Sequence, residues 1–239
     1  MITLYHPMLA LDDAVCNDLP DSERKHLRAL HVEVGETTRL VDGKGNARVG
    51  ILSLFDKDNC IISELLETPT NEPLQERILL ISQIDPTHLE TAVGLLVPLG
   101  VTQIVILHTQ YSQLLPRFRV QRHTGIAIAA MKQCNRSRIP KFDFAEDGRG
   151  WKLVEVLDNL PSSERFLADS AGEPVTPKLL SELNRDTNLV IAVGPEGGLT
   201  DQERVLLLSY EFRPISLGAR ILRTELASAT ALAKLSDDK

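Results

Sequence analysis

Residues 188–194 read Asn-Leu-Val-Ile-Ala-Val-Gly, an almost unbroken apolar run that ends on glycine. A strand wetted on one face alternates apolar with polar residues. A continuous apolar run belongs instead to a strand covered on both faces, as in a parallel sheet sandwiched between helices. RILLIS (77–82), TQIVIL (102–107), KFDF (141–144) and RFLAD (165–169) read as further strands of the same sheet. Between them, Pro86 to Leu96, FRVQRHTGIAIAAMKQC (118–134), WKLVEVLDNL (151–160) and DQERVLLLSY (201–210) read as helices, the last capped by Thr200. Residues 71–239 are therefore predicted to form an α/β domain with a mainly parallel sheet.

The first 70 residues have a different pattern. ITLY, TTRLV, ARVGILSLF and NCIISELLE are short β-branched or apolar runs, and DGKGN (Asp42 to Asn46) between two of them is a hairpin signal. These runs predict a small β-barrel over residues 1–70. The segment from Glu67 to Glu76, with two prolines and no apolar period, reads as the linker.

With 239 residues, 43% of them hydrophobic, the chain is long enough for two such domains. Cys16, Cys60 and Cys134 are odd in number and far apart, with no CxxC pair, so neither a disulfide framework nor a zinc site is expected. The six histidines show no metal-binding spacing. The N-terminus lacks a basic region followed by an apolar run, and the longest apolar stretch is broken by Gly94, Pro98 and Gly100. A cytoplasmic protein without a membrane segment or metal is expected.

Net charge is −7, which argues against a nucleic-acid partner until its distribution is considered. From Thr91 to Phe142 there is no Asp or Glu, while Arg117, Arg119, Arg122, Lys132, Arg136, Arg138 and Lys141 fall within the stretch. Local potential, not net charge, captures a phosphate backbone, so this segment is a candidate RNA face. The alternative is a helix face whose acidic partners come from elsewhere in the fold. Arg24, Lys25, His26 and Arg28 make a second basic cluster, diluted by Glu23 and Glu33. Aromatics are 4% of the chain, too few for the stacking sheet of an RRM or OB module.

The common nucleotide and hydrolase signatures are absent. There is no GxxxxGK[ST], GKGNARVG departs from GxGxxG at Arg48, and no GxSxG elbow is present. What remains is GPEGG after the apolar strand and a second loop in PISLGARILRTELASATALAKL. Each follows a strand and precedes a helix, which would bring both to the carboxyl ends of a parallel sheet, where ligands bind. Glycines there let backbone approach a ligand closely. Glu196 makes the first loop poorly suited to polyphosphate and compatible with a neutral or cationic ligand.

GPEGGLTDQE followed by SLGARILRTELA closely resembles the C-terminal signature of the ribosomal RNA small-subunit methyltransferase E family, uridine-N3 methyltransferases of the SPOUT superfamily. SERKHLRALHVEVGETTRLVDGKGN resembles its PUA-like barrel, LVPLGVTQI its first knotted-domain helix and strand, and AAMKQCNRSRIP its central segment. The resemblance implies a trefoil-knotted α/β domain, a homodimer, and S-adenosylmethionine as cofactor. It also implies a uridine of 16S ribosomal RNA in the 30S subunit as methyl acceptor. The cofactor would be held by Gly194, Pro195, Glu196, Gly197 and Gly198, by Leu217, Gly218, Ile221 and Leu222, and by the strand end Ala168, Asp169 and Ser170. Arg223 would stabilise charge on the uracil oxygens, with Glu225 as base or as the residue that orients Arg223.

The chain departs from the family pattern at Val97-Pro98, where an acidic residue is common. It departs again at His31, where a second arginine stands, and at Leu226, where Glu-Thr-Ala is usual. These departures keep two alternatives open: a ribosome-binding or assembly protein without transfer activity, and a SPOUT methyltransferase acting on another RNA.

Overall fold

The computed structural model describes residues 1–113 and 118–236. The chain forms two compact units, one of Met1–Glu72 with Ile128–Ile139, the other of Pro73–Ala127 with Pro140–Lys239.

In the first unit β1 (Ile2–Tyr5), β2 (Thr37–Val41), β3 (Ala47–Phe55) and β4 (Cys60–Glu67) form one sheet in that order. The β1–β2 pairing is parallel and the others are antiparallel. The turn at Asp42 follows its chemistry. The Asp42 carboxylate accepts from the N–H groups of Lys44 (2.7 Å) and Asn46 (3.0 Å), while Gly43 and Gly45 take positive φ.

The sheet is mixed and open, not the closed barrel expected from sequence. The segment at Cys16 occupies the outer edge of β4, exchanging N–H···O bonds with Ile62 at 2.8 and 2.9 Å, and no ladder joins β1 to β4 among the described residues. Helix α1 (Asp21–Ala29) lies in the crossover between β1 and β2, within a region read from sequence as β. Its buried residues are Glu23 and Leu27, so half of its inner face is a carboxylate and the usual apolar period is missing. Leu4, Leu27, Leu40, Leu52 and Ile62 form the core of this unit.

Residues 128–139 are stitched into the first unit by charge. Lys132 Nζ donates to Glu23 at 2.7 Å, and Arg136 donates to Glu72 at 2.7 Å. Glu72 also accepts from the N–H groups of Ser137 (2.7 Å) and Arg138 (2.9 Å). Burial alone would push the Glu72 carboxyl up. The bonds from Arg136, Ser137 and Arg138 outweigh it and hold the group below its ordinary value of 4.5.

The second unit contains β5 (Arg77–Ser82), α2 (Pro86–Leu96), β6 (Gln103–His108), α3 (Val120–Gln133, whose last turns belong to the first unit) and β7 (Lys141–Asp143). It continues through β8 (Trp151–Lys152), α4 (Leu153–Leu157), β9 (Ser163–Pro174), α5 (Pro177–Glu182), β10 (Asn188–Val193), α6 (Asp201–Ser209), β11 (Arg213–Ser216) and α7 (Thr224–Leu235). The sheet runs β11-β9-β10-β5-β6-β7, with β8 also on β6, and every pairing is parallel.

All six residues of β5 are buried, its apolar centre Ile78–Ile81 flanked by buried Arg77 and Ser82. Ile78, Leu80, Val190 and Ala192 meet Leu157, Leu207 and Phe212 on one face, and α7 packs on β5 and β10. Among the described residues no helix is long and apolar enough to cross a membrane.

Glu72→Gln removes the carboxylate charge that faces the buried Arg136 guanidinium, and we expect it to lower unfolding free energy by about 3 kcal/mol in urea denaturation at pH 7. The folded carboxyl titrates below the unfolded one. The stabilisation is therefore complete above about 4.5 and is lost as the pH falls through the lower folded value, so the wild-type advantage should shrink there.

Candidate functional site

The strand order places the carboxyl ends of β9, β10 and β11 side by side on one flank of β5, and that of β6 on the other. The chain runs outward from β5 to β6 and β7, then returns to place β10 against the opposite edge of β5. The crevice between such strands is where open parallel sheets bind ligands.

The first glycine loop leaves β10 at Gly194. Gly198 sits at φ +76° and donates to Pro195 O at 2.9 Å, which closes a tight turn. Thr200 then caps α6 in a reciprocal arrangement: Glu203 N donates to Thr200 Oγ1 (3.2 Å) and Thr200 N to Glu203 Oε2 (2.8 Å). The second loop leaves β11 at Leu217 and enters α7 at Thr224, with Gly218 at φ +142°. One bond ties the two loops together: Thr224 Oγ1 donates to Gly194 O at 3.0 Å.

A cavity of about 370 Å³ opens between β9 and β11. It is lined by Ser170, Pro174 and Val175 on one side and by the run from Ser216 to Ile221 with Lys234 on the other. Of the cofactor residues named from sequence, Ser170, Leu217, Gly218 and Ile221 line it. Leu222 follows in the same loop, half-buried. Gly194, Pro195, Glu196, Gly197 and Gly198 belong to the adjoining loop. Ala168 pairs with Val193 across the strands. The Asp169 carboxylate is engaged by Arg204 at 2.9 Å and by Ala171 N, so it orders the strand end.

The Glu196 carboxylate is held by side chains absent from the sequence reading. It accepts from Gln113 Nε2 at 3.0 Å and meets His88 Nδ1 at 3.2 Å. His88 follows β5 and Gln113 follows β6, so both come from strand ends beside the crevice. The signal that could have found them was that shared origin, not a motif.

Arg223 and Glu225 are separated by environment. Arg223 is exposed at the N-cap of α7, whereas Glu225 is 8% exposed in the first helical turn, and no ion pair joins them among the described residues. Glu225 Oε2 is buried without a hydrogen-bond partner.

The basic stretch is largely compensated. Arg122 forms a two-bond pair with Glu90 (2.9 and 2.8 Å), Lys132 pairs with Glu23, Arg136 with Glu72, and Lys141 lies 3.4 Å from Asp143. Arg119 and Arg138 remain exposed, and Arg117 lies outside the described residues. In the N-terminal cluster Lys25 is exposed and His26 half-buried. Arg24 and Arg28 both donate to Lys57 O (3.1 and 2.9 Å), with Arg28 over the Phe55 ring. Burial pushes the His123 imidazole down, so at neutral pH it adds no charge to α3.

Known proteins agree with the resemblance carried by the two loops. The family model described as an RNA methyltransferase domain matches residues 70–236. The chain is similar to the ribosomal RNA small subunit methyltransferase E of Rickettsia conorii, 28% identical over 213 residues, which cover 86% of this chain and 82% of the relative. The crystal structure of the protein of that name from Neisseria gonorrhoeae, bound to S-adenosyl methionine, is similar at a TM-score of 0.82 and 29% identity, covering 98% of this chain and 95% of the other. A probable rRNA-methyltransferase from Porphyromonas gingivalis gives a TM-score of 0.80 and 27% identity, over 97% of this chain and 95% of the other.

Thr224→Val removes the one hydroxyl joining the two glycine loops and leaves Gly194 O without that donor. We expect a loss of about 1 kcal/mol in chemical denaturation, with both loops taking up amide deuterium faster than in the wild type.

Proposed function

The chain belongs to the RNA methyltransferase domain family, and on that premise we propose that it methylates N3 of a specific uridine in 16S ribosomal RNA of the small subunit, using S-adenosylmethionine. The observation that carries the reading is the pair of glycine loops at adjacent strand ends, joined by the Thr224–Gly194 bond.

The residues present fit the cofactor. The cavity of about 370 Å³ falls in the ordinary range for small-molecule sites. Gly218 has nothing within 4 Å of where a Cβ would stand, at a φ that other residues rarely adopt, so its backbone is open to a ligand. When bound, the cofactor supplies the electrophilic methyl of its sulfonium.

The chain's own task is then to position the uridine and manage the N3 proton. Arg223, exposed at the start of α7, is the cation assigned to the uracil oxygens, where charge develops as that proton leaves. Among the described residues no ion pair joins Glu225 to Arg223, so Glu225 is assigned to the proton and not to orienting Arg223. Glu225 Oε2, buried without a hydrogen-bond partner, is the proposed proton acceptor. Holding two reactants in line accounts for most of the expected acceleration, on the order of 7–11 kcal/mol for a well-oriented pair.

Two further parts of the proposal concern assembly. Ile221 is 96% exposed and Leu226 is also exposed, which suits a second copy of the chain packing there to give a homodimer. The family resemblance adds a trefoil knot in the C-terminal domain and a cytoplasmic location beside the ribosome.

Methyl transfer from labelled S-adenosylmethionine to undermodified 30S subunits, with nucleosides identified by mass, should yield 3-methyluridine. No methylated nucleoside in spite of bound cofactor would overturn the reading, and another methylated nucleoside would replace the acceptor. Arg223→Ala should lower kcat at least a hundredfold, about 2.7 kcal/mol, with cofactor affinity within twofold of wild type.

A further inference from the structure

The chain has ten aromatic side chains, all within the described residues, and only Tyr111 is exposed. The residue is 55% exposed. A ring left in water needs a reason, because most of a tyrosine's surface gains by burial. Its surroundings supply one.

Tyr111 stands in the segment from Thr109 to Gln113, which follows β6 and crosses the first glycine loop. The segment is held from several sides. Thr109 Oγ1 donates to Ser82 Oγ at 3.2 Å and Gln113 N to Gln83 O at 3.3 Å, both at the end of β5. Gln110 N donates to Glu203 Oε1 at 2.8 Å in the first turn of α6, and Gln113 Nε2 to Glu196 within the loop. Within the segment, Ser112 N donates to Thr109 O and Thr109 N to Ser112 Oγ. The backbone under Tyr111 is thus a fixed bed.

The root of the ring rests on glycine. A Cβ at Gly197 would lie 2.9 Å from Tyr111 Cβ and 3.4 Å from its Cγ. Tyr111 therefore lies against the loop at Gly197, its Cβ, Cγ and one ring edge facing the glycine, while more than half of the residue is open to solvent. It does not line the cavity between β9 and β11.

We propose that Tyr111 is the platform on which the acceptor nucleobase stacks, a contact that rests on the RNA methyltransferase reading above. A base must leave its helix to be modified and needs a flat apolar surface to replace the lost stacking. Single-stranded RNA is bound in this way by exposed aromatic rings. The scarcity of aromatics, which excludes a stacking sheet, leaves room for one ring at the place where it is needed.

The test uses the full chain carrying Tyr111→Ala, Tyr111→Phe or no change. It compares binding of undermodified 30S subunits, methyl transfer to them, and calorimetric affinity for S-adenosylmethionine. The alanine variant should bind the subunit and turn it over about tenfold less efficiently, with cofactor affinity within twofold of wild type. The phenylalanine variant should restore both.

Subunit binding and transfer unchanged in the alanine variant would overturn the platform. So would a loss of cofactor affinity, which would make Tyr111 a support for the cofactor's adenine, or a phenylalanine variant as weak as alanine, which would make the hydroxyl the active part. Subunit binding needs no chemistry. A wild type that transfers no methyl but binds tenfold more tightly than the alanine variant would retire the activity and keep the stacking surface.

Discussion

The parallel pairing of β10 with β5, in register from Leu189 opposite Arg77 to Val193 opposite Ile81, is the constraint on which the site depends. Parallel strands send all their carboxyl ends the same way, so the loop after each strand emerges at one rim. The pairing is held by burial: all six residues of β5 are buried, and β10 is buried from Leu189 to Val193. Each of the larger side chains adds about 1.5–3 kcal/mol through removal from water. The glycine loops are carried by strands held in place by that burial.

Local and nonlocal features were not equally legible in the sequence. The continuous apolar runs announced the parallel sheet because burial on both faces leaves its record within six residues. GPEGG and SLGAR were visible because a turn into a helix is specified by neighbours in sequence. Helix α1 was not visible, because its inner face is completed by Glu23, whose partner Lys132 is distant in the chain. The open sheet was equally hidden: whether β4 closes on β1 or on the segment at Cys16 depends on a pairing that no local pattern encodes.

The acid-free stretch shows the same limit in electrostatics. Read along the chain it is uniformly basic. Folded, Glu90, Glu72 and Glu23 come to Arg122, Arg136 and Lys132, and two of those pairs are buried. A buried pair adds little favourable energy but becomes costly when one member is lost. Lys132 and Arg136 thus secure the position of residues 128–139 in the first unit. Among the described residues, exposed cations with no ion pair to a carboxylate include Lys25, Arg28, Arg119 and Arg138, with Arg220 and Arg223 on the second loop.

Glu196 shows why a glycine loop can carry an acid. A loop built for polyphosphate would present its N–H groups and exclude a carboxylate, since the two anions would compete for the same donors. Here Gly198 N is already committed to Pro195 O, and the Glu196 carboxylate faces His88 and Gln113. The acid fastens the loop to the ends of β5 and β6. The glycines around it have separate roles: Gly198 adopts the positive φ of the turn, and Gly197 lets Tyr111 lie against the backbone. A residue that looks misplaced in a glycine loop is, in this arrangement, what connects that loop to the segment that carries the exposed ring.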